Sequence, residues 1–303
     1  MTDDAPVFIV GCPRSGTTLL RDLLRSHPRL AFPSESWFIP SYYRRYGDPR
    51  SDAEAIALGE RILRSYWVRH WNVAVAPSTF AKDRTFAAIV SRIYEDFARQ
   101  RGKARWGDKT PGYVFHLPLL TQMFPQARAI HIVRDGRDVA LSWLKHASSP
   151  GNLYVAAELW IKHVRAGQTA CSTLGSHGYL EIRYEDLLAN SERAMRQVCS
   201  FLGEPYDERV LRPTRESRNP DSGSHRAGDD RIVTDNAFGW RRLMSGRQRR
   251  LFESVAHELL EELHYATDGA VRTVTVVEKA VWRAHYQSLR LMRAARHVNR
   301  VFA

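Results

Sequence analysis

Apolar positions fall into two patterns that alternate along the chain. Short, largely apolar runs at 7–10, 30–33, 129–133 and 179–183 are typical of buried strands in a parallel sheet. Between them, apolar residues recur with helical spacing, as in Leu19, Leu20, Leu23 and Leu24. Strands that alternate with helices predict an α/β fold, in which a central parallel sheet carries helices on both faces.

Three other stretches complete the predicted organisation. Residues 36–103 read mainly as helices rich in Arg and aromatic residues, and form an insertion after the second strand. Residues 212–236 are polar and predict a loop that is a candidate lid. Residues 277–303 read as an amphipathic helix, which would pack on the domain or on a second subunit, or lie on an anionic membrane. The apolar stripe of that helix is Val277, Val281, Ala284, Ser288, Leu291, Ala295, Val298 and Phe302.

The first apolar run leads into a glycine-bounded loop and then into a helix. This arrangement points backbone N–H groups at an anion, and Arg14 adds a cationic fork. The loop spacing nearly matches the nucleotide-triphosphate motif G-x-x-x-x-G-K-[ST], but Thr17 stands at the lysine position. The loop is therefore expected to bind an anion other than a β,γ-phosphate pair. The simpler alternative is a strand-to-helix turn that needs only its glycines.

A second strand end carries another anion-binding pattern. The run at 129–133 leads to Arg134 and then to a predicted helix. Ser142 lies eight residues after Arg134, or about two helical turns, so both side chains can face one phosphate. Arg137 is expected to pair with Asp135 or Asp138.

Two more titratable residues follow predicted strands. Glu35 comes just after the second strand, and Lys109 follows a short strand that is predicted to end at Trp106. The carboxyl ends of the strands form the ligand crevice of an open α/β sheet, so both side chains are expected there. Glu35 could accept a proton and Lys109 could offset developing negative charge. The alternatives are a solvated loop or capping Glu and a surface Lys.

Together these motifs resemble those of sulfotransferases that use 3′-phosphoadenosine-5′-phosphosulfate (PAPS). The run from Pro13 to Thr18 resembles their 5′-phosphosulfate loop, in the Arg form typical of carbohydrate, tyrosylprotein and bacterial members. Arg134 and Ser142 resemble their 3′-phosphate motif. The resemblance covers about 7–265 and implies a single P-loop-like domain, 1–303, of three layers.

The resemblance also implies a role for each matching residue. The 5′-phosphosulfate would be held by Pro13, Arg14, Ser15, Gly16, Thr17 and Thr18. Glu35 would be the general base for direct in-line transfer, with Lys109 and Arg14 offsetting charge on the leaving oxygen. Tyr184 would lie near the adenosine or, alternatively, be a packed core residue, and Trp240 and Arg241 would close over the 3′-phosphate. His116 sits in an H-L-P run like that of cytosolic members, but its helical surroundings argue against catalysis. No metal is implied.

Composition limits the partners and the compartment. The formal net charge of +12 suits an anionic ligand, an acidic acceptor or a membrane surface, and no nucleic-acid motif accompanies it. Three widely spaced cysteines favour a reducing compartment. With neither a signal-peptide pattern nor a run of about 18 apolar residues, the protein is expected in the cytoplasm, free or peripheral to a membrane.

The acceptor hydroxyl is left open among small molecules, glycans, lipids and peptides, and a homodimer is compatible with the tail. Two other classes of function stay open. A nucleotide-dependent kinase or NTPase would bind ATP without preferring a 3′-phosphate. A non-catalytic nucleotide-binding module would keep the two anion loops without turnover.

Overall fold

The computed structural model describes residues 4–146, 148–212, 237–269 and 271–301. The strands are β1 (Val7–Gly11), β2 (Leu30–Ala31), β3 (Arg105–Lys109), β4 (Arg128–Val133) and β5 (Tyr179–Arg183). The helices are α1 (Thr17–Arg25), α2 (Ile39–Tyr46), α3 (Asp52–Leu63), α4 (Phe86–Arg99), α5 (Leu117–Met123), α6 (Gly136–Leu144), α7 (Leu153–Gly178), α8 (Tyr184–Ala189), α9 (Ser191–Leu202), α10 (Trp240–Leu243), α11 (Gly246–Glu262) and α12 (Val276–Val301). Short 3-10 helices occupy Pro77–Lys82, Pro111–His116 and Glu208–Leu211.

The five strands form one parallel sheet in the order β2-β3-β1-β4-β5. β1 lies at its centre, with Ile9 opposite Lys109 of β3 and Gly11 opposite Ile132 of β4. All five residues of β1 are buried, as expected for an apolar run in the middle of a parallel sheet. The predicted α/β class is confirmed. β3 extends to Lys109 itself, three residues beyond its predicted end, so the sheet holds the lysine backbone directly.

The described residues divide into two compact units. The first comprises the described parts of 1–11, 16–133 and 166–234 and contains the whole sheet. The second comprises 12–15, 134–165 and the described parts of 235–303. The single-domain organisation stays a prediction.

Helices occupy much of the region between β2 and β3, as the composition of 36–103 indicates. Ser51 and Thr85 cap α3 and α4, each side chain accepting a hydrogen bond from the backbone N–H three residues on. Most aromatic side chains in this region are buried or partly buried in the core of the first unit, among them Trp71 and Tyr94. Trp37 is an exception, with 40% of its surface exposed.

Helix α12 belongs to the second unit and packs within it through a face other than the predicted stripe. Trp282 and Tyr286 pack against Tyr154 and Val155. The predicted stripe is exposed over its described part, which comprises Val277, Val281, Ala284, Ser288 and Leu291. Of the placements left open, packing of this stripe on the domain is therefore not observed over its described part, because the helix has a second apolar stripe and its aromatic residues pack instead.

Contact of the exposed stripe with a second subunit or a membrane stays a prediction. None of the helices in the described ranges is both long and apolar enough to cross a membrane. The candidate lid falls almost entirely on residues 213–236, which lie outside the described residues.

Candidate active site

The loop after β1 has the backbone geometry of an anion-binding turn. Gly16 has φ +95°, and a Cβ there would lie 2.3 Å from the Tyr184 ring, so only glycine fits. Gly16 is also the N-cap of α1, and no side chain caps that helix end. Arg14, a non-glycine residue, has φ +74°. Strain of this kind is found at functional sites, where the surrounding structure holds it in place.

In the first unit, Glu35 and Lys109 meet as the sequence predicts. Lys109 Nζ donates a hydrogen bond to Glu35 Oε1 and lies 3.4 Å from Thr18 Oγ1. The Lys109 side chain is 3% exposed and that of Glu35 is 33% exposed. Burial lowers the pKa of Lys109, although the charge of Glu35 acts in the opposite direction. The pair thus combines a carboxylate open to solvent with an ammonium group that holds its proton less tightly than usual.

The second oxygen of the Glu35 carboxylate also has a donor. Trp37 Nε1 donates to Glu35 Oε2 over 2.7 Å. Trp37 is one of many aromatic residues in 36–103, and the sequence does not single it out. Its contact with Glu35 depends on a positive φ of +51°, which no sequence rule predicts for a tryptophan.

A buried polar layer supports this group. Tyr94 donates its hydroxyl proton to Asp108 Oδ2 over 2.6 Å, and the Tyr113 hydroxyl lies 2.6 Å from Ser36 Oγ. Burial raises the pKa of Asp108 to about 6, and hydrogen bonds to its carboxylate limit the rise. Asp108 and Ser36 directly precede and follow the catalytic candidates Lys109 and Glu35 in the sequence, so this layer fixes the backbone that carries both.

In the second unit, Arg14, Arg134 and Ser142 lie together. Arg14 Nε donates to Ser142 Oγ over 3.1 Å, and Arg134 Nη1 donates to the Arg14 carbonyl oxygen over 3.1 Å. Trp160 Nε1 donates to the Arg134 carbonyl oxygen over 3.0 Å and so fixes the chain just beyond β4. The sequence assigned Arg14 to one phosphate and Arg134 with Ser142 to another. The structure joins all three in one hydrogen-bonded group.

Arg137 is a structural residue of the second unit. It pairs with Asp135 over 2.8 Å, which is one of the two predicted partners, and with Glu253 of α11 over 2.7 Å. Its guanidinium carbon lies 3.5 Å from the centre of a Trp240 ring. Asp138 instead accepts a hydrogen bond from the Trp240 backbone N–H over 2.8 Å.

The other predicted cofactor residues differ in exposure. Trp240 is buried, whereas Arg241 is exposed and lies 5.0 Å from the centre of the Phe238 ring. Tyr184 is 5% exposed and packs against Gly16, which is the core alternative left open by the sequence. Its contact with an adenosine stays a prediction.

Within the loop itself, Ser15 is the residue that fits an anion most directly. Its hydroxyl is buried, and it has no hydrogen-bond partner among the described residues. A buried hydroxyl without a partner is costly, so its retention at this place indicates a ligand oxygen. Pro13 is partly buried and Thr17, which stands at the lysine position of the triphosphate motif, is buried.

His116 has Arg44 as its polar neighbour. It ends the 3-10 helix Pro111–His116, and its Nδ1 is 3.3 Å from Arg44 Nη2. Burial and the neighbouring Arg44 lower its pKa. The structure places Arg44 next to it and gives it no hydrogen bond to Glu35 or Lys109.

Comparison with known proteins identifies the family to which these motifs belong. Residues 6–208 match the model of the sulfotransferase family. The chain belongs to this family. It is 27% identical to protein-tyrosine sulfotransferase A of Caenorhabditis elegans over 214 residues, which cover 68% of this chain and 51% of the relative. It is 28% identical to protein-tyrosine sulfotransferase 2 of Gallus gallus over 212 residues, which cover 68% and 53%.

A solved structure supports the fold assignment. The sulfotransferase domain from the curacin biosynthetic pathway aligns with a TM-score of 0.62 at 20% identity, and the alignment covers 88% of this chain and all of that domain. The chain spans about half the length of the tyrosylprotein relatives described above. Family and fold are thus known, whereas the reaction and the acceptor are inferred from the residues.

Proposed function

We propose that this protein transfers a sulfuryl group from PAPS to an acceptor hydroxyl. The observation that carries the proposal is the contact between Glu35 and Lys109. Two residues that are 74 positions apart, each chosen from the end of a different strand, meet beside Thr18 at the start of α1. A general base and a cation for the leaving oxygen are the two groups that such a transfer needs.

The residues of this chain suggest how the nucleotide would be held. Ser15, Thr18 and the uncapped N-terminus of α1 would bind the 5′-phosphosulfate, since each offers a donor to an anion. Arg134 and Ser142 would bind the 3′-phosphate. Arg14 donates its Nε–H to Ser142, a residue of the 3′-phosphate motif, although Arg14 itself belongs to the 5′-phosphosulfate loop. Arg14 could therefore bind either phosphate. The bound nucleotide would supply the sulfuryl group.

Glu35 would accept the proton of the acceptor hydroxyl as the oxygen attacks. Lys109 would turn its ammonium group toward the leaving oxygen, where its lowered pKa makes it a better proton donor. Thr18 Oγ1 lies 3.4 Å from Lys109 Nζ and would accept a hydrogen bond from the ammonium group as it turns toward the first turn of α1. The acceptor is a hydroxyl compound. The names of the tyrosylprotein relatives make a peptide tyrosine the first candidate, with sugars, lipids and small molecules still to be tested.

Calorimetric titration with adenosine 3′,5′-bisphosphate, AMP and ATP tests the nucleotide class. We expect the bisphosphate to bind at least tenfold more tightly than the others, and Arg134→Ala to remove this preference. Arg165→Ala is the matched control, because this arginine pairs with Glu262 on the surface of the second unit. If the wild type binds ATP as tightly as the bisphosphate, the result would favour a nucleotide-dependent kinase or NTPase.

Hydrolysis of PAPS to the bisphosphate and sulfate tests catalysis without a known acceptor. Water replaces the acceptor hydroxyl in this assay, so Glu35→Gln should slow hydrolysis about 100-fold or more while the affinity for the bisphosphate is kept. Unchanged hydrolysis would remove Glu35 from its role. Binding without any turnover across hydroxyl compounds would favour a non-catalytic binding module.

A further inference from the structure

We infer that Trp37 determines acceptor specificity, binding a ring that carries the reacting hydroxyl while its indole N–H holds the Glu35 carboxylate in position. This inference rests on the proposed function of Glu35. Trp37 lies between two fully buried residues, Ser36 and Phe38, yet 40% of its own surface is exposed.

The backbone of Trp37 is strained. Its φ of +51° lies in the left-handed region, which bulky side chains avoid. Such a conformation costs on the order of 1–3 kcal/mol and persists only where the surroundings enforce it. Asparagine or glycine would adopt it more readily, so a tryptophan here indicates a role for the indole.

The residues around Trp37 show what enforces the strain. The Ser36 backbone N–H donates to Thr110 Oγ1 over 3.1 Å, and its hydroxyl lies 2.6 Å from that of Tyr113. The Ile39 backbone N–H donates to the same Tyr113 hydroxyl over 3.1 Å. The chain is therefore fixed on both sides of Trp37, and the positive φ turns the indole away from the core.

Two edges of the indole are already occupied. The pyrrole edge donates Nε1–H to Glu35 Oε2 over 2.7 Å. The benzene edge lies over Gly112, where a Cβ would come within 2.7 Å of the ring. With both edges held, the exposed area of the indole forms a surface beside the catalytic carboxylate. Such a surface stacks with aromatic rings and with the apolar faces of sugar rings.

Two variants separate the N–H from the ring. Trp37→Phe keeps a ring and loses the donor, so Glu35 loses one hydrogen bond to its charged form. We expect kcat to fall about tenfold, with little change in KM for ring acceptors, because the base loses a donor that orients it while the ring surface remains. Trp37→Gly removes the ring and also the strain. We expect it to be at least as stable as the wild type while it loses the preference for ring acceptors.

The acceptor panel contains a tyrosine peptide, a hexose and a serine peptide, each with PAPS as donor. The wild type should prefer a ring-bearing acceptor to the serine peptide by at least tenfold in kcat/KM. The preferred ring shows whether the acceptor is a tyrosine or a sugar. His264→Gly is the matched control, since His264 also has a positive φ, of +57°, but is not near Glu35 in the sequence and has no role in the proposed reaction.

The outcomes distinguish this inference from the proposed function. If Trp37→Gly keeps the ring preference and Trp37→Phe keeps the wild-type kcat, Trp37 has only a structural role and the inference is overturned. The proposed function survives that result as long as bisphosphate binding and the effect of Glu35→Gln are present. If Glu35→Gln has no effect, Glu35 is not the base, and that part of the proposed function fails whatever the Trp37 variants show.

Discussion

Replacement of Arg137 by methionine tests the electrostatics of the second unit. Arg137 is 1% exposed, and its two carboxylate partners, Asp135 and Glu253, are fully buried. Burial disfavours the charged guanidinium, but the hydrogen bonds and charges of both carboxylates raise the pKa of Arg137. Methionine replaces the aliphatic stem of arginine and carries no charge, so the variant would remove the cation that pairs with these two buried carboxylates.

Removal of one partner from a buried ion pair costs about 3–5 kcal/mol, because the remaining charge is uncompensated. Two carboxylates depend on Arg137, so we expect a loss at the upper end of this range at pH 7. At about 2–4 °C per kcal/mol for a protein of this size, the melting temperature should fall by on the order of 10 °C.

Urea unfolding followed by tryptophan fluorescence at pH 7 measures the free energy of unfolding. Arg165→Met is the matched control: Arg165 pairs with Glu262 of the same helix, α11, but both side chains are nearly half exposed. The control should lose less than about 1 kcal/mol. A loss for Arg137→Met as small as that of the control would refute the reasoning.

Two further predictions concern the loop and the cysteines. Gly16→Ala should lower the affinity for the bisphosphate at least tenfold, because the added Cβ would displace the Tyr184 ring. Gly175 also has a positive φ, of +63°, but has open space around it, so Gly175→Ala should leave binding unchanged in the same titration. Cys171 is exposed, whereas burial raises the pKa of Cys12 well above its usual value, so a thiol reagent should label Cys171 first, as peptide mass analysis would show.

The parts of the site that could be predicted are those that depend on strand ends. In a parallel sheet the carboxyl ends of neighbouring strands share one edge, so a residue that soon follows β2 and a residue at the end of β3 are brought to the same edge. Glu35 and Lys109 needed only this rule.

The parts that could not be predicted depend on tertiary contacts. The pairing of Arg137 with Glu253 joins residues 116 positions apart and leaves no trace in local spacing. Helix α12 carries two apolar stripes, and only the packing of Trp282 and Tyr286 shows which one is buried. The contact of Arg14 with Ser142 unites two motifs that sequence analysis treats separately.

The two donors on Glu35 give the site a property that neither residue has alone. Lys109 occupies one carboxylate oxygen and Trp37 the other. In the proposed reaction Lys109 must leave Glu35 to reach the leaving oxygen, and this frees a lone pair on Oε1 for the proton of the acceptor. Trp37 then remains as the donor that keeps the carboxylate oriented. The strain at Trp37 is therefore best explained as the cost of holding the base in place while its lysine partner moves.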